Sequence, residues 1–355
     1  MNPTLRYTLA SFVLLYLVGA FVATPGAVLP AWRQEFGVYE AMASFFNAQL
    51  LGLLAGVTLA IRLRKRHPVV PLAALLLGLA YLAMATTPSF GRVIAAAGAA
   101  GLAQGILNVH ANGLVGDLHP ETRVQMLNRA NAAFGVGAIS APLLVALLPW
   151  RWAFGLFAAI FFLAAVLAWG APPAASVARR ISWSGLRRVM PLLLAVGLYV
   201  GTEASISAWS GTYLTALGYP ARLAGVLLSA YWLLLTLSRL GLASWVADRP
   251  LQRLRHLTAG SLLVLLALFF PALAPLFPLA AIFYGPIFGT SFAYLQGRYG
   301  SEWAAGMFYA AAVGSTLAPS ALAWLPDPRW IPAGFLALGL LLFASVVGAE
   351  RSSRG

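Results

Sequence analysis

The chain contains no cysteine, which excludes disulfide staples, thiolate nucleophiles and Cys-based metal sites. Charge is nearly as scarce: 9% of its 355 residues are Asp, Glu, Lys or Arg, against about a quarter in a soluble globular domain. Acid is the scarcer sign, with nine Asp and Glu against 23 Lys and Arg. The four histidines, His67, His110, His119 and His256, never fall at the spacing of a helical metal pair, so no metal is expected. No Gly-x-x-x-x-Gly-Lys-Ser/Thr phosphate loop occurs, which argues against ATP drive, and no cofactor is expected.

What fills the chain instead is apolar: 61% of residues, in runs long enough to cross about 30 Å of hydrocarbon, roughly 20 residues each. Twelve such runs are read, near 7–30, 40–61, 69–87, 92–115, 128–149, 151–170, 189–214, 221–242, 257–275, 277–297, 303–325 and 330–349. The partner they imply is the lipid bilayer. A formal charge of +14 would suit nucleic acid, but a nucleic-acid binder gathers its basic residues on one folded face. Here they occupy short gaps between apolar runs, so no nucleic-acid partner is expected.

Basic residues accumulate on the cytoplasmic side of membrane proteins. With the N-terminus inside, 18 of the 23 Lys and Arg fall in cytoplasmic segments and the rest, Arg33, Arg92, Arg151, Arg222 and Arg329, in the opposite loops. Both termini are therefore expected in the cytoplasm of a cell whose inner membrane holds the protein. The first run lacks a charged n-region followed by a small-residue cleavage site, and is expected to remain as a span.

An internal repeat organises these runs. Val136-Gly-Ala-Ile-Ser-Ala-Pro-Leu-Leu-Val-Ala-Leu-Leu-Pro149 aligns without gaps to Val313-Gly-Ser-Thr-Leu-Ala-Pro-Ser-Ala-Leu-Ala-Trp-Leu-Pro326, 177 residues later, with seven identities that include both prolines. After one extra residue, Arg151-Trp152 answers Arg329-Trp330. The offset is half the chain. The expected fold is all-α and polytopic, with twelve transmembrane helices in two pseudo-symmetric six-helix halves, residues 1–170 and 189–355, joined by a polar cytoplasmic linker at 171–188. Parallel repeats of this kind resemble the plan of the major facilitator superfamily.

Glu203 stands out within this frame, because a carboxylate inside a spanning segment is costly and marks a functional site by default. Residues three or four apart share a helix face, so Tyr199, Glu203, Ser207 and Ser210 form a polar stripe flanked by Trp209 and Tyr213. Desolvation favours the neutral carboxyl, so alternate wetting and burial would let Glu203 load and release a proton. The competing reading is a glutamate that ties helices together. Gln104, Asn108 and Asn112, spaced by four, make a second stripe whose amides could hold solute hydroxyls or merely bond neighbouring helices, while Trp209 or Trp232 covers an apolar face of the ligand. His110, two residues from Asn108, lies on another side of the helix and is read as packed structure.

Tyr199-Val-Gly-Thr-Glu-Ala-Ser-Ile-Ser-Ala-Trp-Ser-Gly-Thr-Tyr-Leu214 resembles the seventh-helix pattern of fucose-permease-like sugar transporters of the major facilitator superfamily. Asn108-x-x-x-Asn112, Arg123, Leu127-Asn128, Phe134-Gly-Val-Gly-Ala138 and Pro142 are similar to that family's helix 4 to helix 5 segment, and Ser229 to Arg239 to its eighth helix. The resemblance implies a monomeric, proton-linked carrier of a monosaccharide with no enzymatic activity. The chain departs from the family in lacking an acid in the first span and a glutamate in the fourth, so proton coupling would rest on Glu203. The superfamily's Gly-x-x-x-Asp-Arg signature is also eroded: Arg62-Leu-Arg-Lys-Arg66 has no acid, and Asp248-Arg249 survives in the second half. Asp248, Arg249, Arg239 and Arg123 are the expected gating residues.

Two other functions compete. Gly137-x-x-x-Ala141-Pro142 approximates an antiporter motif, which would make the chain a proton-linked exporter of amphipathic compounds or drugs. An intramembrane serine protease could be drawn from Trp209-Ser210-Gly211, but Ala208 breaks its Gly-x-Ser-Gly signature and proteolysis needs no twofold repeat.

Overall fold

A computed structural model describes residues 2–37, 41–174, 186–299 and 303–353, apart from the side chains of residues 123–125, 128, 243, 296, 304 and 305. The expected linker lies largely outside the described residues. The chain is all-helical and separates into two compact units, Met1–Ala178 and Arg179–Gly355.

In the first unit run α1 (Pro3–Phe36), α2 (Met42–Arg62), α3 (Val69–Thr86), α4 (Phe90–Leu118), α5 (Arg123–Leu147) and α6 (Trp150–Leu167). Local chemistry sets the limits of α1. Pro3 opens it, where a missing N–H costs nothing, and the Asn2 side chain accepts the Thr4 amide at 2.9 Å. Gly37 ends it in the left-handed conformation, φ 64°, which a residue without Cβ adopts freely. Helices pair as α1 with α5, α2 with α4 and α3 with α6.

The second unit holds α7 (Leu186–Ala216), α8 (Ala221–Gly241), a short α9 (Ala243–Asp248), α10 (Pro250–Ala267), α11 (Ala280–Tyr284), α12 (Ile287–Tyr299), α13 (Ala304–Leu322) and α14 (Ile331–Ser352). Its pairs repeat those of the first: α7 with α13, α8 with α11, α10 with α14. The repeat extends to backbone contacts. A side chain at Gly137 would run into the Tyr16 carbonyl of α1, and one at Gly314, its counterpart 177 residues on, into the Gly197 carbonyl of α7. Small residues at such crossings let helices approach where lipid gives no hydrophobic drive.

Ten helical segments among the described residues are long and apolar enough to cross a membrane; α10 and α13 lie near the ninth and eleventh expected spans. Two expected spans need correction. The ninth, placed at 257–275, is α10 at Pro250–Ala267, and the tenth, placed at 277–297, is broken. Pro271, Pro275 and Pro278 hold residues 271–279 in a 3₁₀ stretch, and the chain breaks again at Gly285-Pro286 between α11 and α12. Proline lacks the N–H that an α-helix uses and clashes with the preceding turn.

Candidate functional site

The polar stripe of α7 lies against α8 and α11, and its core is a glutamate surrounded by tyrosines. Tyr199, one turn before Glu203, donates its hydroxyl to the Glu203 carboxylate. Tyr231 of α8 directs its hydroxyl to the main-chain carbonyl of Glu203 at 3.4 Å. The Tyr284 ring of α11 lies 6.3 Å from that of Tyr199. Each of the three tyrosines is at most 1% exposed, whereas Glu203 is half-buried.

Arg239 of α8 is held on α11: its Nε donates to the Gly285 carbonyl at 3.1 Å. That carbonyl ends α11 at the Gly285-Pro286 break, where Pro286 offers no amide to continue the helix. Gly285 lets α11 come this close, since a Cβ there would meet Ser238 Oγ and the backbone of α8.

Other residues of the stripe serve packing. Trp209 is fully buried and donates its indole N–H to the Pro319 carbonyl of α13 at 2.9 Å. Tyr213 donates to the Leu268 carbonyl at 2.5 Å, and Ser210 to Ile206 of its own helix. Ser207 is 2% exposed, with its hydroxyl unpaired. Trp232 is 3% exposed and edge-on to Tyr231 at 5.9 Å. Of the expected site residues in this unit, the structure joins Tyr199 to Glu203, holds Arg239 on the Gly285 carbonyl and holds Trp209 and Tyr213 in helix contacts. Tyr231 and Tyr284 escaped the sequence reading. Both lie on helices whose register against α7 only the folded chain reveals.

In the first unit, the Gln49 amide of α2 donates to Gln104 Oε1 at 3.1 Å, so Gln104 ties α2 to α4. Asn108 and Asn112 are half-buried; Asn112 Nδ2 donates to the Asn108 main-chain carbonyl at 2.8 Å and to its side-chain oxygen at 3.2 Å. Asn108 and Asn112 thus act as one polar patch.

Among the expected gating residues, Asp248 lies 3.9 Å from Arg249 and 3.8 Å from Arg253, and both Asp248 and Arg249 are two-thirds exposed. Arg123 lies outside the residues whose side chains are described. A tighter pair was missed: Arg66, 2% exposed, binds Asp117 at 2.8 Å and reaches the Pro173 carbonyl at 3.3 Å. The basic run Arg62-Leu-Arg-Lys-Arg66 therefore does find an acid, at the far end of α4 rather than beside it in sequence.

Apolar helices crossing a bilayer in two repeated six-helix units, with a carboxylate, a cation and amides inside the spans, define a membrane transporter. The sequence profile of the Major Facilitator Superfamily matches residues 9–322, and the chain belongs to that family. No curated protein matches it in sequence. Among solved structures it is similar to the nucleoside transporter NupG, with a TM-score of 0.73 at 14% identity over 100% of both chains. A mutant of NupG gives 0.76 at 14% identity, covering 98% of this chain and 100% of the other. A bacterial homologue of the human lysosomal transporter Spinster, in an inward-facing unoccupied conformation, gives 0.74 at 13% identity over 99% and 96%. At such identities the likeness carries the fold alone.

Proposed function

We propose that this transporter is a proton-coupled carrier of a small polar solute, with a monosaccharide as the solute class, and that Glu203 is its proton-binding group. One observation carries the reading: a half-buried carboxylate within a spanning helix, hydrogen-bonded by Tyr199. Intramembrane acids of this kind serve proton relays in transporters. Transport proceeds by alternating access, with Glu203 protonated on the acidic side and deprotonated on the other. The Asn108–Asn112 patch offers amide donors and acceptors to hydroxyls, which suits a sugar better than an apolar drug. Both termini lie in the cytoplasm, as the distribution of Lys and Arg favours, and the carrier works as a monomer in the inner membrane.

Purified protein in liposomes, screened with sugars under an imposed pH gradient, tests this. Glu203→Gln is expected to keep solute exchange and lose gradient-driven accumulation; unchanged accumulation removes Glu203 from coupling. Asn108→Ala with Asn112→Ala is expected to abolish sugar exchange, whereas an exporter of amphipathic compounds would tolerate it.

A further inference from the structure

The geometry points to a binding site for the phosphate of an anionic phospholipid in the second unit, with Arg188, Tyr294 and Tyr299 as its donors. The site lies at the end that the proposed orientation turns to the cytoplasm. It is independent of Glu203 and of the solute carried.

Four helix ends meet there. Helices α7 and α10 begin at this end, α12 and α14 finish at it, and a small recess between them is lined by Arg188 and Leu192 of α7, Leu251 of α10, Tyr294 and Tyr299 of α12, and Ser352 of α14. Arg188 is exposed and both tyrosines are half-buried, so a headgroup can reach them from the surface. Ser352 spends its proton on the Gly348 carbonyl at 2.9 Å. The guanidinium and the two phenols have no partner among the described residues and remain available. A guanidinium fork with neighbouring hydroxyls is suited to phosphate oxygens.

The charges around the recess favour an anion. The acids at this end are already matched: Glu350 pairs with Arg255 at 3.2 Å, and Asp248 lies 3.8 Å from Arg253. The starts of α7 and α10 direct free amides toward this end. The carbonyls that finish α12 and α14 act against an anion, but each of those helices carries an arginine in its last turn, Arg298 and Arg351. Topology alone accounts for an excess of arginine at a cytoplasmic end. It does not account for two unpartnered phenols gathered with one of those arginines in a recess.

The surface beyond the recess selects a lipid over a soluble anion. Leu263 lies 12 residues beyond Leu251 on α10, and Leu340 lies 12 before Ser352 on α14. That is about 18 Å along each helix, the depth of acyl chains. Leu263 is 71% exposed, Leu340 50% and its neighbour Leu341 55%, and α10 packs on α14. Acyl chains can therefore lie along these two helices while the phosphate meets Arg188. Basic recesses between spanning helices on the cytoplasmic side suit phospholipid headgroups.

Native mass spectrometry of the delipidated full chain tests this with added phosphatidylglycerol or phosphatidylcholine. Wild type should retain one phosphatidylglycerol in preference to phosphatidylcholine. Arg188→Gln should weaken that binding about fivefold, the contribution of one arginine beside an anionic lipid. Tyr299→Phe should weaken it about threefold, as loss of one hydrogen bond does. Arg249→Gln, which removes a two-thirds exposed arginine outside the recess, should bind as wild type does. Inorganic phosphate at the lipid's own concentration should leave binding unchanged. Equal retention of the two lipids by wild type overturns the inference, as does unchanged binding in Arg188→Gln, or in Tyr299→Phe where Arg188→Gln does not fold. A loss in Arg249→Gln as large as in Arg188→Gln also overturns it, since any arginine at this end would then serve. Displacement by inorganic phosphate would make a soluble anion the ligand and overturn the choice of lipid.

Discussion

Alanine at Gly314 tests whether the repeat is a physical repeat as well as a textual one. Its methyl would fall well under 3.0 Å from the carbonyl oxygen and carbon of Gly197, and the obstacle is backbone, with no flexible side chain to give way. Helices α7 and α13 must part to admit it. Overpacking costs about 1–3 kcal/mol, offset by up to about 1 kcal/mol from the better helix propensity of alanine. Backbone against backbone puts this case at the costly end, for a net loss of about 1–2 kcal/mol. Gly137→Ala meets the Tyr16 carbonyl in the same way and should cost a similar amount. Gly155 and Gly289 have nothing within 4 Å of an added Cβ, so alanine there should be neutral or stabilising. Thermal unfolding in detergent, followed by tryptophan fluorescence, reads the difference. A loss of 1 kcal/mol corresponds to about 2–4 °C in a domain of 150–250 residues, so Gly314→Ala and Gly137→Ala should melt several degrees below the two controls. If they melt within about 1 °C of the controls, the tight crossings are not limiting and the reasoning fails.

Further consequences concern polar contacts of the first unit. Asp117→Asn leaves Arg66, 2% exposed, without its carboxylate and should destabilise by about 3 kcal/mol in the same melts. Glu35→Gln removes a charge from the pair with Arg151, where both partners are about one-third exposed, and should cost less than about 1 kcal/mol. Gln104→Leu orphans the buried Gln49 amide and should cost about 1 kcal/mol. The double Gln49→Leu/Gln104→Leu should recover most of that loss, since replacing both partners leaves no polar group unpaired.

Much of the fold is legible in the sequence because its determinants are local. An apolar run long enough to span must be helical, since lipid offers the backbone no hydrogen bonds. The repeat of Gly137 and Pro142 at Gly314 and Pro319 fixes the pairing of α1 with α5 and of α7 with α13. The broken tenth span is legible only in hindsight. Pro271, Pro275, Pro278 and Pro286 all signal trouble for an α-helix, but hydropathy averages straight across them. The Tyr199–Glu203 contact was within reach of helix spacing alone, because i and i+4 are neighbours. Arg66–Asp117 and Gln49–Gln104 were not. Each joins residues more than fifty positions apart, and only tertiary packing brings them together.

Arg239 shows why the site is harder to read than the fold. In sequence it stands near the end of an apolar run, where a basic residue has a sufficient explanation as a topology signal at the lipid headgroups. A long basic side chain near a helix end would ordinarily reach outward to that interface. What holds this one is a partner on a neighbouring helix: its Nε donates to the Gly285 carbonyl at the end of α11. The two halves thus share a scaffold built from the same glycine crossings, while the Tyr199–Glu203 cluster sits in a departure from the symmetry, beside the break between α11 and α12 in the second half.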